Sequence, residues 1–234
     1  MHRKEVNERS PMRVLEHSIH GGLGRGNIGV VVARPGLGKT AFLVGIAMDD
    51  LLRGRKVLHV SLEHTVEKVR DYYDDIYSEI AHKRELEDVW KVRVEMERNR
   101  RIHCYPPERF SVDKLREAIG FMKEHGEFEP VAIVIDGWDF GSKTAADIQR
   151  IREIAGELQA EVWMSATTHR EAERNERGVP EPVAHLEGEL DVILSMAHDG
   201  TSVHVGLHKD HESTDVTDMK LALDPTTMLL VRKR

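Results

Sequence analysis

The chain has 234 residues, 32% charged and 40% hydrophobic, with mean hydropathy −0.45, enough for one sizeable α/β domain with a buried core. Its 34 basic side chains fall short of its 41 acidic ones, a formal charge of −7, which argues against a protein that holds polyanions through bulk charge. Several further features point to a cytoplasmic protein: the single cysteine, Cys104, excludes an internal disulfide, no apolar run approaches the ~18 residues of a membrane span, and Met1-His2-Arg3-Lys4-Glu5 lacks a signal-peptide stretch.

In chain order, short apolar runs fall at residues 28–33, 57–61, 131–135, 162–165 and 191–196. They are nearly continuous rather than alternating, which predicts strands buried on both faces, as in a parallel sheet. Helical spacing lies between them. A helix is expected over residues 41–52, a long charged helical segment over residues 64–101, and another helix carrying Ile148, Ile151, Ile154, Ala155 and Leu158. Strands alternating with helices predict a wound α/β fold with crossover connections. Residues 202–208, 219–223 and 228–231 are short extended runs between polar turns, read as an antiparallel meander on the sheet edge. No Gly/Ser linker divides the sequence, so residues 1–234 are expected to form a single domain with a helical insertion at about 64–101.

The strongest chemical signal follows the first strand, in Ala33-Arg34-Pro35-Gly36-Leu37-Gly38-Lys39-Thr40 and the helix opening at Ala41. Gly36 and Gly38 let the backbone curl so that its N–H groups point inward at phosphate oxygens. Lys39 reaches the β- and γ-phosphates, and the Thr40 hydroxyl is a ligand for Mg²⁺. The helix that follows adds its positive N-terminal end. A strand before and a helix after this loop are the context the chemistry requires, so the segment Arg34 to Ala41 is the candidate nucleotide site.

A triphosphate site needs a second acid beside the metal. The apolar run ending in Ile135 is followed by Asp136, a carboxylate at the carboxyl edge of a strand, where ligands of open α/β sheets bind. Asp139 ranks second because it lies past the strand. Hydrolysis also needs a group that orients water in line with the γ-phosphate. Val57-Leu58-His59-Val60-Ser61-Leu62-Glu63 ends in a carboxylate, and if its strand neighbours the phosphate-loop strand, Glu63 faces that phosphate.

These stretches, together with Gly21-Gly22-Leu23-Gly24-Arg25-Gly26, Trp163-Met164-Ser165, Leu186-Glu187-Gly188-Glu189-Leu190-Asp191-Val192 and Leu221-Ala222-Leu223-Asp224-Pro225, resemble the RecA-like ATPase domain of DnaB-type replicative helicases. KaiC and RadA-like proteins are wider relatives. The resemblance runs in the family's order over most of the chain, and it accounts for Ala33 where the general phosphate-loop pattern has glycine. It implies a RecA-like core that binds ATP and Mg²⁺ through Gly36, Gly38, Lys39 and Thr40, with Asp136 supporting the metal and Glu63 as the catalytic glutamate. It also implies a homo-oligomer, a hexameric ring, in which Lys209 reaches the neighbour's γ-phosphate. Two departures stand out. His211 occupies the place of an arginine that works beside that lysine, and Ala166 replaces a glutamine, leaving Thr167 and Thr168 as candidate sensors. Histidine lacks arginine's permanent planar fork, so both departures bear on the speed of hydrolysis.

Whether such a protein moves along single-stranded DNA stays open at the level of sequence. The loop holding Trp138, Phe140 and Lys143 is short, and residues 170–178 carry three Arg against three Glu, so neither offers the phosphate neutralisation that polynucleotide affinity needs. Trp138 and Phe140 are candidates for stacking on bases, with packing the commoner role. Residues 82–101, with seven basic side chains against five acids, read as a solvated helix face or as a docking surface for a protein partner. His204, His208 and His211 carry no Cys nearby and no metal-ligand spacing. A slow switch acting on a protein partner therefore competes with a motor.

Overall fold

The computed structural model describes residues 1–213, 216 and 219–232. The elements in chain order are α1 (Arg3–Glu8), α2 (Met12–Ser18), β1 (Ile28–Ala33), α3 (Lys39–Leu52), β2 (Val57–Ser61), α4 (Val66–Lys83), α5 (Val89–Asn99), β3 (Arg100–Cys104), α6 (Val112–Gly126), β4 (Ala132–Asp136), α7 (Ala145–Leu158), β5 (Glu161–Thr167), β6 (Val192–His198), β7 (Val203–Asp210), β8 (Leu221–Leu223) and β9 (Leu230–Arg232). The strands form one sheet in the order β3-β2-β4-β5-β1-β6-β7-β8-β9. Pairing is parallel from β3 to β6 and antiparallel from β6 to β9. The expected mostly parallel sheet with an antiparallel meander is therefore present. No helix among the described residues is long and apolar enough to cross a membrane.

The apolar runs become central strands because each side of the sheet is covered. On β1, Val31 and Ala33 face a core built with Phe42, Leu43 and Ala47 of α3 and Val69 and Tyr73 of α4. Ile28, Val30 and Val32 face a second core with Leu115 and Ile119 of α6 and Ile148 and Ile151 of α7. Both faces are dry, so neither shows the polar alternation of a half-solvated strand. Gly29 is needed for close approach: a Cβ there would lie 2.5 Å from the ring of Trp163, its register partner on β5.

Two expectations are corrected. The charged stretch 64–101 is not one helical insertion. It is the crossover from β2 to β3, in which α4 stops at Lys83, Asp88 takes a left-handed conformation (φ 52°), α5 starts at Val89, and Arg100 and Arg101 open the edge strand β3. Arginine suits that edge because its stem covers rings: the Arg100 guanidinium lies 4.4 Å from the Tyr73 centroid and that of Arg101 4.5 Å from Phe128. The Ser-Leu-Glu strand also does not neighbour the phosphate-loop strand, since β4 and β5 lie between β2 and β1. Sheet order follows from crossover packing, which a linear pattern of apolar runs does not contain.

The amino-terminal helices are tied to α3 by a buried polar cluster. The Asn7 amide donates to Asp49 Oδ1 at 2.9 Å, Arg13 pairs with Asp49 and Glu16, and Arg55 holds Asp50 at 2.9 Å. Burial, and then the neighbouring Glu161 carboxylate, push Asp50 up to about 7 against the pull of Arg55. Burial raises Glu161 and Asp49 as well. Between the unfolded value near 4 and the folded value near 7, the folded chain keeps a proton that the unfolded chain releases, so this contribution to stability is full below pH 4 and lost by pH 7. His59, driven by burial down to about 4, works in the opposite sense: its contribution is present above its unfolded value near 6.5 and is lost as the pH falls through about 4. Asp50→Asn removes only the first effect. Its stability relative to wild type should therefore rise by on the order of 2–4 kcal/mol between pH 4.5 and 7.5 in denaturant titrations. A gap that does not change with pH would show that Asp50 is ionised throughout.

Candidate nucleotide site

The turn between β1 and α3 is shaped by residues that tolerate left-handed backbone. Gly36 has φ +78° and Gly38 φ +86°. A side chain at Gly38 is barred on two counts, since its Cβ would also lie 2.5 Å from Leu223 Cδ2. Arg34, Pro35 and Gly36 are exposed, Leu37 and Gly38 half-buried, and Lys39, Thr40 and Ala41 buried. Among the described residues, the backbone N–H groups from Gly36 to Ala41 donate to no backbone carbonyl, as expected where a helix begins. The helix starts two residues earlier than its apolar periodicity suggests, at Lys39. Lys39 is 7% exposed, and no hydrogen-bond or ion-pair partner for its ammonium group is present among the described residues. A buried cation beside unpaired N–H donors is costly unless an anion joins it.

The carboxyl ends of β2 and β4 bring the acids to this turn. In the β2–β4 register Ser61 lies beside Asp136, and the Leu62 N–H donates to the Asp136 carbonyl at 2.8 Å. That pairing carries Glu63 to Asp136 although β2 is three strands from β1. Asp136 is fully buried and accepts from Thr40 Oγ1 at 2.7 Å and from Ser165 Oγ at 2.6 Å. Ser165 in turn accepts from the Gly137 N–H at 2.8 Å. Glu63, His64 and Asp136 each offer a ligand atom within 4.8 Å of the other two. Gly137 leaves room for Glu63: a Cβ at 137, where φ is +86°, would lie 2.4 Å from Glu63 Cγ. Oxygen donors around a buried carboxylate fit a hard divalent cation such as Mg²⁺. The residues that sequence reasoning singled out, Lys39, Thr40, Asp136 and Glu63, therefore meet at one sheet edge.

Other candidates lie elsewhere. Asp139 is exposed beyond the strand end. The Lys209 ammonium donates to the Glu187 carbonyl at 2.8 Å, and His211 bonds Asp210 Oδ1 at 2.7 Å and the Leu23 carbonyl at 2.9 Å. Burial lowers the His211 pKa, but the Leu23 and Asp210 bonds outweigh it and the net shift is upward. Thr168 donates to the Glu181 carbonyl, and Ala166 is buried. Trp138 and Phe140 are core residues, Trp138 edge-on to Phe110 with centroids 5.7 Å apart, so neither is placed to stack on a base. His204 pairs with Asp199, and His208 Nε2 lies 2.8 Å from Ser195 Oγ. In the basic segment Trp90 is 75% exposed and Arg93 pairs with Asp74 at 3.0 Å. Sequence reasoning missed Ser165 as a partner of Asp136 and His64 as a neighbour of Thr40. A polar residue one step past Met164, the β5 partner of Ile135, is the signal for Ser165.

A parallel sheet in this order, with the glycine turn after its central strand and a buried aspartate two strands away, is the RecA-like fold of DnaB-type ATPases. The structure is similar to the solved ATPase domain of a DnaB-like helicase, at 19% identity and a TM-score of 0.67, covering 94% of this chain and 89% of that one. No protein-family model matches the sequence, and no curated protein matches it.

Proposed function

We propose that this chain is a cytoplasmic, Mg²⁺-dependent P-loop ATPase of the DnaB/RecA type, forming one unit over residues 1–234 and acting as a homo-oligomeric ring. The observation that carries this reading is the buried, unpartnered ammonium of Lys39 at the head of a helix whose first N–H groups are free. The segment from Arg34 to Ala41 wraps the phosphates, with Lys39 on the β- and γ-oxygens. The Thr40 hydroxyl oxygen and Asp136 hold Mg²⁺, which when bound neutralises charge on those oxygens. Glu63 orients a water and takes its proton as the new bond to the γ-phosphorus forms and the bond to the β-phosphate oxygen breaks. Lys209 serves the site of an adjacent subunit.

The internal bonds of Lys209 and His211 favour slow hydrolysis until a neighbour or partner releases these side chains. They support a second reading, a nucleotide-dependent switch or assembly factor acting on a protein partner. Phosphate release measured with and without single-stranded DNA, alongside particle mass with and without ATP, separates the readings. Release that needs Mg²⁺, a mass that is a multiple of the chain and strong stimulation by DNA support a motor. Indifference to DNA supports the switch. The absence of both ATP binding and phosphate release contradicts both.

A further inference from the structure

The residue after the candidate catalytic glutamate is His64, and nothing in the Mg²⁺ chemistry above requires it. Its Nε2 lies 3.3 Å from Thr40 Oγ1, the hydroxyl that donates to Asp136. It also falls within the 4.8 Å cluster with the Glu63 and Asp136 carboxylates. The position is built rather than incidental. The His64 N–H donates to Ser61 Oγ at 3.0 Å at the end of β2, and the ring packs beside Tyr72 of α4 with centroids 5.8 Å apart. Tyr72 is itself capped by the Lys68 ammonium, 5.2 Å from its centroid. The imidazole is half-buried and turned toward the metal-binding oxygens.

An imidazole nitrogen among hydroxyl and carboxylate oxygens changes which ion the site prefers. Mg²⁺ favours all-oxygen shells and keeps its waters, whereas first-row transition ions gain from a nitrogen ligand. We propose that His64 is a direct ligand at the cation position shared by Thr40 and Asp136. This makes it a mixed nitrogen–oxygen site that takes a divalent ion of the Mn²⁺ to Zn²⁺ series in preference to Mg²⁺. The proposal rests on the nucleotide-site reading and adds the identity of the ion. Glu63 keeps its place facing the water, and its carboxylate adds a second negative charge beside the cation.

Pulsed electron paramagnetic resonance on the Mn²⁺–ADP complex of the full chain tests this directly. With uniformly ¹⁵N-labelled protein and unlabelled nucleotide, a ligated imidazole is distinguished from adenine nitrogen. Wild type should show strong ¹⁵N coupling from one histidine. His64→Gln should bind Mn²⁺–ADP without it, and the preference for Mn²⁺ over Mg²⁺ in competition titrations should fall by about tenfold or more. Mn²⁺–ADP bound to wild type without protein ¹⁵N coupling overturns the proposal and leaves the nucleotide site standing. Coupling that persists in His64→Gln overturns it equally. Failure of wild type to bind Mn²⁺–ADP at all removes the nucleotide site and this proposal together.

Discussion

Glu63→Gln is expected to bind ATP about as tightly as wild type and to cleave it roughly 10²–10⁴ times more slowly, the range for loss of a general base. Glutamine preserves the shape that Gly137 accommodates, where the Glu63 side chain lies so close that a Cβ would collide with its Cγ. The substitution removes the proton acceptor and little else. Glu63 makes no hydrogen bond among the described residues and is exposed, so the fold should be indifferent to the change and the melting temperature unaltered. Single-turnover phosphate release at saturating Mg²⁺–ATP reads the effect without interference from product release. A rate within twofold of wild type would assign water activation to another group.

Lys39→Ala should have the complementary effect, on binding. The lysine brings a charge-assisted contact to the phosphates, and losing such contacts costs about 2–4 kcal/mol, or roughly 30- to 1000-fold in affinity. The nucleotide-free fold should respond in the opposite direction. In wild type the ammonium is 7% exposed and unpartnered among the described residues, an arrangement that is unfavourable until an anion arrives. Removing it should leave thermal stability equal or slightly higher without nucleotide and abolish the stabilisation that ATP gives wild type. Scanning calorimetry with and without Mg²⁺–ATP checks both halves.

What the sequence displayed and what it concealed follow from the kind of interaction involved. β1 and β4 were legible because strands buried on both faces leave continuous apolar runs, and Asp136 was legible as the carboxylate ending one of them. The phosphate turn was legible because its chemistry is local: two glycines, a lysine and a threonine act within five residues. β3 was hidden because Arg100 and Arg101 occupy it with charged heads and ring-covering stems, and α6 because its apolar stripe of Val112, Leu115, Ile119 and Met122 is spaced through a strongly charged segment. Strand order was hidden because it is decided by crossovers. The same limitation concealed Ser165, whose bond to Asp136 spans two adjacent strands 29 residues apart, and His64, whose role depends on where Thr40 lies after folding. The position of Glu63 was reached from its company in the sequence, but the structural cause differs from the one expected. It is the β2–β4 register that brings it to Asp136, not adjacency to β1.

We infer that the lysine turn, Asp136 and Glu63 serve one triphosphate in separable roles. Equilibrium ATP affinity and single-turnover cleavage, measured side by side on wild type, Lys39→Ala and Glu63→Gln, test this most directly. Glu63→Gln should hold ATP without cleaving it, while Lys39→Ala should scarcely hold it. Wild-type affinity in Lys39→Ala, or undiminished cleavage in Glu63→Gln, would contradict the shared site.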